Sequence, residues 1–204
     1  MRTSFLLIAL TLLYLANLMV VARYRPWRSP AADLVDDGLV LAGALHMHTR
    51  YSDGSGDTES LARAASNAGL DFILITDHNT HAGYGEAGYY GDVLVLVGEE
   101  RTTDAGHMLV IGARAPEGRN PEITARITDQ KGGIAAIAHP YGRRRWEGPV
   151  PEDVRGYEVV NADNEWRDES PFTLLSSLAA LPVLRDAPWN RMIARDDRAW
   201  ATFD

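Results

Sequence analysis

There is no cysteine in these 204 residues and only one lysine, Lys131. The first absence excludes disulfides and thiol nucleophiles; it leaves the compartment open, because oxidising and reducing surroundings both admit such a chain. The second, with a net charge of −8, argues against a surface that grips long nucleic acid, which needs many cationic phosphate contacts. No internal repeat or low-complexity tract is present. Histidine is ordinary in number, with six in all, but none occurs after His139.

What is present begins with an apolar stretch over residues 5–22, broken only by Thr11 and Asn17. Its length is at the lower end of what spans a bilayer as a helix, and Arg23, Tyr24, Arg25, Trp27 and Arg28 suit the interface that follows. We read residues 1–28 as a retained membrane anchor, because the stretch exceeds a usual signal core. A cleaved signal ending at Val20 and Ala22 is the competing reading. Ser29-Pro30-Ala31-Ala32 opens a linker over 29–38, and 39–204 forms one domain large enough for a real core. An export-like leader places that domain outside the cytoplasm, in a periplasm.

Apolar runs recur at 39–45, 72–76, 93–97, 108–112, 134–138 and 157–160. Such runs fit strands buried on both faces of a parallel sheet. Between them, Asp57 or Thr58 caps a helix ending at Gly69, and Pro121 starts another that stops at Gly132-Gly133. After 174–184 a last helix is expected around 191–200. Alternating strand and helix predicts an α/β architecture, whose chemistry lies at the carboxyl ends of the strands.

Five histidines sit at those ends or beside them. His46 and His48 close the first run, two residues apart and so on one face of a strand. His78 follows the second run, Glu100 the third and His139 the fifth. His107 precedes its run, so it comes from a loop or from a strand of opposite direction. Asp53 lies in the turn Tyr51-Ser52-Asp53-Gly54, where an Asx-turn role is the plain alternative. Asp77, beside His78, is expected to orient an imidazole. Glu99-Glu100 is costly to bury without cations; one of the two is expected to ligate and the other to be a solvated rim charge. Imidazoles and carboxylates of this kind bind Zn²⁺, Mn²⁺ or Fe²⁺. The arginine run 143–145 is a solvated loop or a phosphate-recognising mouth. Tyr84, Tyr89, Tyr90 and Trp146 either stack on a base or sugar or simply pack.

The ordered motifs His-x-His-Thr-x-Tyr-Ser-Asp-Gly, Thr-Asp-His-Asn, Gly-Glu-Glu, Gly-His-Met-Leu and Ala-His-Pro, over residues 41–161, resemble the PHP family (polymerase and histidinol phosphatase domains). The resemblance implies a distorted (β/α)7 barrel with two or three divalent metal ions that hydrolyses a small phosphorylated substrate. It implies that His46 and His48 hold a first ion and that Glu100 bridges it to a second on His107 and His139. Asp53 and His78 would hold a third. A metal-bound hydroxide would attack phosphorus, with Arg50, Arg101 and Arg143 as phosphate contacts.

The family also closes its site with a late Asp-x-His motif, and no such motif occurs here. Six runs are few for a closed barrel, so the barrel is expected to be incomplete at its C-terminal end, as in a truncated chain. Two alternatives stand beside the phosphoesterase. An amidohydrolase-like hydrolase would need a metal-bridging lysine, for which Lys131 is the sole candidate. A degenerate, non-catalytic metal-binding domain at the membrane would explain the missing motif.

Overall fold

The computed structural model describes residues 2–24, 40–141 and 145–193. These fall into two compact units, 35–158 and 1–34 with 159–204. The expected linker over 29–38 and the greater part of the expected 191–200 helix lie outside the described residues, as does Arg143.

In the unit 35–158, the Val, Ile and Leu runs become strands because branched side chains pack well on a pleated surface. One sheet has the order β1-β2-β4-β3, with β1 (Gly43–Met47), β2 (Phe72–Ile75) and β4 (Val93–Val97) parallel. β3 (Gly88–Tyr90) pairs antiparallel with β4 across Gly91-Asp92, where Gly91 takes the positive φ of 64° that a two-residue hairpin turn requires. Helix α1 (Arg2–Val21) precedes this unit in the chain, and α2 (Thr58–Asn67) lies between β1 and β2. The Asp57 side chain accepts the Ser60 N–H at 2.9 Å and starts α2. Ala62 and Ala65 of α2 then pack on Ile73, Ile75, Val93 and Val95.

A second sheet has the order β5-β6-β7-β8, built from β5 (Glu99–Thr102), β6 (His107–Ile111), β7 (Ile134–Ile137) and β8 (Gly156–Tyr157). Helix α3 (Pro121–Gln130), capped by Asn120, packs Ala125 against Met108 and Ala135. Only Gly98 separates β4 from β5. A Cβ there would stand 2.5 Å from the Val110 carbonyl oxygen, so the close approach at this passage between sheets requires glycine. Just beyond it, Glu100 bridges to His78, which follows β2.

The α/β class holds, but among the described residues the strands form two sheets and not a closed barrel. The all-parallel expectation also fails at β6, which is antiparallel to both β5 and β7. For the β5–β6 pair the reason is connection length. Residues 103–106 are enough for a hairpin, whereas a parallel crossover needs a dozen or more. His107 thus arrives on a strand of opposite direction. Two short strands, β3 and β5, were not expected.

In the other unit, α1 is long and apolar enough to cross a membrane. α4 (Ala162–Asp168) and α6 (Ala187–Met192) flank α5 (Pro171–Ala180), which Ser170 caps by accepting the Thr173 N–H. α1 and α5 meet through two hydrogen bonds: Tyr14 Oη donates to the Ala179 carbonyl at 3.1 Å, and Asn17 Nδ2 to that of Ser176 at 2.9 Å.

Candidate metal centre

Glu100 is 1% exposed and sits at the centre of five imidazoles. Its Oε2 lies 3.0 Å from His46 Nε2, 3.1 Å from His48 Nε2 and 3.1 Å from His78 Nδ1. Its Oε1 lies 2.6 Å from His107 Nδ1 and 2.9 Å from His139 Nε2. Asp53 joins from the open side, with Oδ1 2.8 Å from His48 Nδ1 and Oδ2 3.6 Å from His78 Nε2. All seven candidate ligands therefore converge. Their ligand atoms fall into three overlapping groups: His46–Glu100–His139, His48–Asp53–His78 and His78–Glu100–His107.

These groups differ from the expected pairing, since His46 keeps company with His139 and not with His48 alone. Regular strand alternation does not place the His-x-His pair. The β1–β2 register shifts between Ala44 and Met47, and His46 takes a φ of 61°. Positive φ in residues other than glycine occurs at three described positions: His46, Asn79 (48°) and His139 (29°). Two are candidate ligands and the third follows one. Such strain persists only where surroundings enforce it, and it concentrates at functional sites.

One enforcing group is Glu158, at the end of β8, which sequence reasoning missed. Its carboxylate stands 3.0 Å from His46 Nδ1, and its Oε2 accepts the His139 backbone N–H at 2.7 Å. A single side chain thus holds both strained histidines. The available signal was a carboxylate inside the apolar run 157–160, at the end of a strand beside that of His139.

The charge balance of this cluster is its most telling property. An ionised carboxylate accepts but does not donate, and each oxygen offers about two lone pairs. Three imidazole nitrogens crowd Glu100 Oε2. His46 and His48 each lie between two carboxylates, so without a cation both ring nitrogens would need protons. Burial opposes the charged form of His46, yet Glu100 and Glu158 push its pKa up to about 10. His48 is also raised, against burial, mainly by Glu100. His78 is lowered, chiefly by burial, with His48 and His107 adding to the effect. Burial alone would raise Glu100, but the surrounding imidazoles take it far below the carboxylate range. Protons in these gaps are what divalent ions replace, and the nitrogen and oxygen donor set fits such ions.

Other expectations are corrected. Asp77 touches no imidazole directly: it accepts from Thr49 N at 2.8 Å, Thr49 Oγ1 at 2.7 Å and Ser52 Oγ at 2.6 Å, which holds the loop leading to Asp53, and it reaches His48 only through Ser52 Oγ, 3.3 Å from His48 Nδ1. Glu99 is no rim charge. It is fully buried on the opposite face of β5, with Arg101 Nη1 at 3.2 Å and His81 Nδ1 at 3.1 Å. Arg101, which also donates to the Gly118 carbonyl, is thereby engaged away from the five histidines around Glu100, because residues 99 and 101 share a face that 100 does not. Arg50 is exposed and 3.6 Å from Asp57. Lys131 caps α3 and donates to the Arg114 carbonyl at 3.3 Å, far from the bridging role an amidohydrolase would give it. Tyr84 donates to the Ala113 carbonyl and Tyr90 to that of Glu86; Trp146 packs beside Met108, and Tyr89 is exposed.

The PHP domain family matches residues 44–111, which contain six of the seven candidate ligands; His139 lies beyond. An uncharacterized protein of Methanocaldococcus jannaschii is 29% identical over 164 residues, covering 71% of this chain and 92% of that one. Two crystal structures are also similar. One is a candidate metal-dependent phosphoesterase of Bifidobacterium adolescentis, 18% identical with a TM-score of 0.48, over 64% of this chain and 80% of that one. The other is a two-domain Bacteroides vulgatus protein containing a predicted PHP-like metal-dependent phosphoesterase, 22% identical with a TM-score of 0.39, over 58% of this chain and 39% of that one.

Proposed function

From a chain whose residues 44–111 match the PHP domain, we propose a metal-dependent phosphoesterase that hydrolyses a small phosphomonoester or phosphodiester. The observation that carries this reading is the convergence of five histidines on one buried carboxylate. Two or three ions of Zn²⁺, Mn²⁺ or Fe²⁺ would be held by the three donor groups around Glu100. Bound there, they would supply charge stabilisation for phosphoryl oxygens and an activated water near neutral pH.

The chain's own residues divide the remaining work. Glu100, His107, His139 and His46 form a buried floor whose donors are fixed before substrate arrives. Glu158 keeps a proton on His46 Nδ1, which leaves Nε2 as the ligating nitrogen. Asp77 fixes the Thr49–Ser52 turn and with it the approach of Asp53, which is 67% exposed and marks the open side. Arg50, exposed on the same loop, is our candidate for binding the phosphate. The acidic balance of the chain suits a small substrate gripped at this mouth over a long polyanion. We place α1 in a membrane as an anchor, with the catalytic unit outside the cytoplasm.

The test is to purify the full chain, measure bound metal by mass spectrometry, and assay p-nitrophenyl phosphate and bis(p-nitrophenyl) phosphate with each metal. Bound metal with turnover that chelation abolishes is expected. Metal without turnover on any phosphoester would favour the non-catalytic metal-binding domain. Neither metal nor turnover would overturn the proposal.

A further inference from the structure

Helix α5 has the sequence Pro-Phe-Thr-Leu-Leu-Ser-Ser-Leu-Ala-Ala, and it is turned the wrong way for water. Phe172, Leu175 and Leu178 are 77%, 69% and 54% exposed, whereas Ser177 and Ala180 are buried. An amphipathic helix of a water-soluble protein shows the reverse arrangement. Small residues inward and large apolar residues outward is the pattern of helices packed within lipid.

The partner of α5 points the same way. Between Phe5 and Val21 the polar side chains are Thr11, Tyr14 and Asn17, and each has a partner. Thr11 donates to the Leu7 carbonyl at 2.9 Å, and Tyr14 and Asn17 donate to carbonyls of α5. Hydrocarbon demands that internal satisfaction. Exposed leucines are spread over α1, at 6, 7, 10, 12, 13 and 15, and not along a single stripe that one more helix could cover. At the C-terminal end of α1, Arg23 and Tyr24 are exposed, and the Arg191 guanidinium lies 5.5 Å from the Tyr24 ring while donating to Ser176 Oγ of α5. Arginine and aromatic side chains of this kind favour the membrane–water interface.

We propose that α5 is buried in the acyl chains beside α1, so that the chain is held in the bilayer by a helix pair and not by a single anchor. This rests on reading α1 as a retained anchor. In that pair α5 supplies partners for Tyr14 and Asn17 of α1. The two hydrogen bonds pair Tyr14 with Ala179 and Asn17 with Ser176, so the helices run antiparallel. Phe172 therefore lies level with the end of α1, near the interface, and Leu178 lies deeper by roughly 9 Å.

The absence of cysteine makes the test clean. Phe172→Cys, Leu175→Cys and Leu178→Cys, each in the full chain, are labelled with a polarity-sensitive fluorophore and reconstituted in phosphatidylcholine–phosphatidylglycerol vesicles. Arg63→Cys on α2 serves as the water-exposed control. Blue-shifted emission is expected at all three α5 positions, with lipid-borne quenchers reaching 172 at shallow depth and 178 at greater depth. Emission typical of water at all three would overturn the proposal. So would a blue shift that follows protein concentration and not lipid, because a second copy would then be the occupant. The mass of the protein isolated from cell membranes separates the two readings. Loss of residues 1–22 removes the anchor and the helix pair together; an intact α1 with water-exposed labels removes only the helix pair.

Discussion

Glu99 and Glu100 are adjacent, both buried, and point to opposite faces of β5. On the Glu99 face, a guanidinium from Arg101 and the imidazole of His81 meet the carboxylate. Arginine keeps its charge at every relevant pH, so this face carries a fixed positive charge of its own, although burial still holds the Glu99 carboxyl above its ordinary range. On the Glu100 face the neighbours are five imidazoles, which carry charge only when protonated and are ligands when they are not. Two identical side chains, one residue apart, thus sit in different company: one closes an ion pair and the other gathers the candidate metal ligands.

The largest way to break this contrast is Glu100→Gln. Loss of the shared carboxylate should remove bound metal and reduce phosphoester turnover by at least about 10³-fold, the worth of several kcal/mol of transition-state stabilisation. Metal analysis of the purified variant, with a thermal melt to show that it folds, checks this. Glu99→Gln should do the opposite. Metal content should stay near the wild-type value, while stability falls by about 1–2 kcal/mol, because Arg101 loses its charged acceptor but keeps its bonds to the Gly118 carbonyl. Chemical denaturation measures the loss, and pairing Glu99→Gln with Arg101→Met should recover part of it. If Glu99→Gln lost its metal as readily as Glu100→Gln, the division between the faces would be wrong.

How much of this was legible differs by residue. The convergence of the candidate ligands was legible because metals require a few residue types, and because strand ends bring them together. From its position before an apolar run, His107 could be narrowed to a loop or a reversed strand, and the structure shows the strand. Strand direction was not legible from hydrophobicity, which has the same period in parallel and antiparallel strands. The four residues between Thr102 and His107 did carry that information. Glu99 was misjudged because sequence does not show which face of a two-carboxylate pair meets an arginine. Glu158 was passed over since nothing near it is a recognisable motif. Its role exists only once β8 lies beside β7.

Glu158 offers a finer probe of the Glu100 face. Glu158→Gln keeps the shape but removes the charge that holds His46 and the His139 N–H. Metal affinity should fall by roughly 10–100-fold, the usual cost of losing a partner behind a ligand. Competition with a chromophoric chelator measures it. Glu158→Asp should restore part of the affinity, and the absorption spectrum of the cobalt-loaded protein should shift in Glu158→Gln even at saturation. A fall in thermal stability with unchanged affinity would make Glu158 merely structural.

The smallest effect distinguishes the faces through protons. In the metal-free chain the His46 pKa is raised to about 10 from an ordinary value near 6.5. Its contribution to stability is fully present below about pH 6.5 and is lost as pH rises through about 10. At pH 7.5 His46 is therefore protonated without metal, and a ligating Nε2 must give up its proton. Metal binding should release protons, so the calorimetric enthalpy should change between buffers of different ionisation enthalpy. Glu99→Gln should leave that dependence intact, since His81 and Arg101 gain no ligand. Glu158→Gln should reduce it, because the lost carboxylate is one of the two that raise His46. A binding enthalpy equal in all buffers would show that the Glu100 face, like the Glu99 face, carries fixed charge of its own.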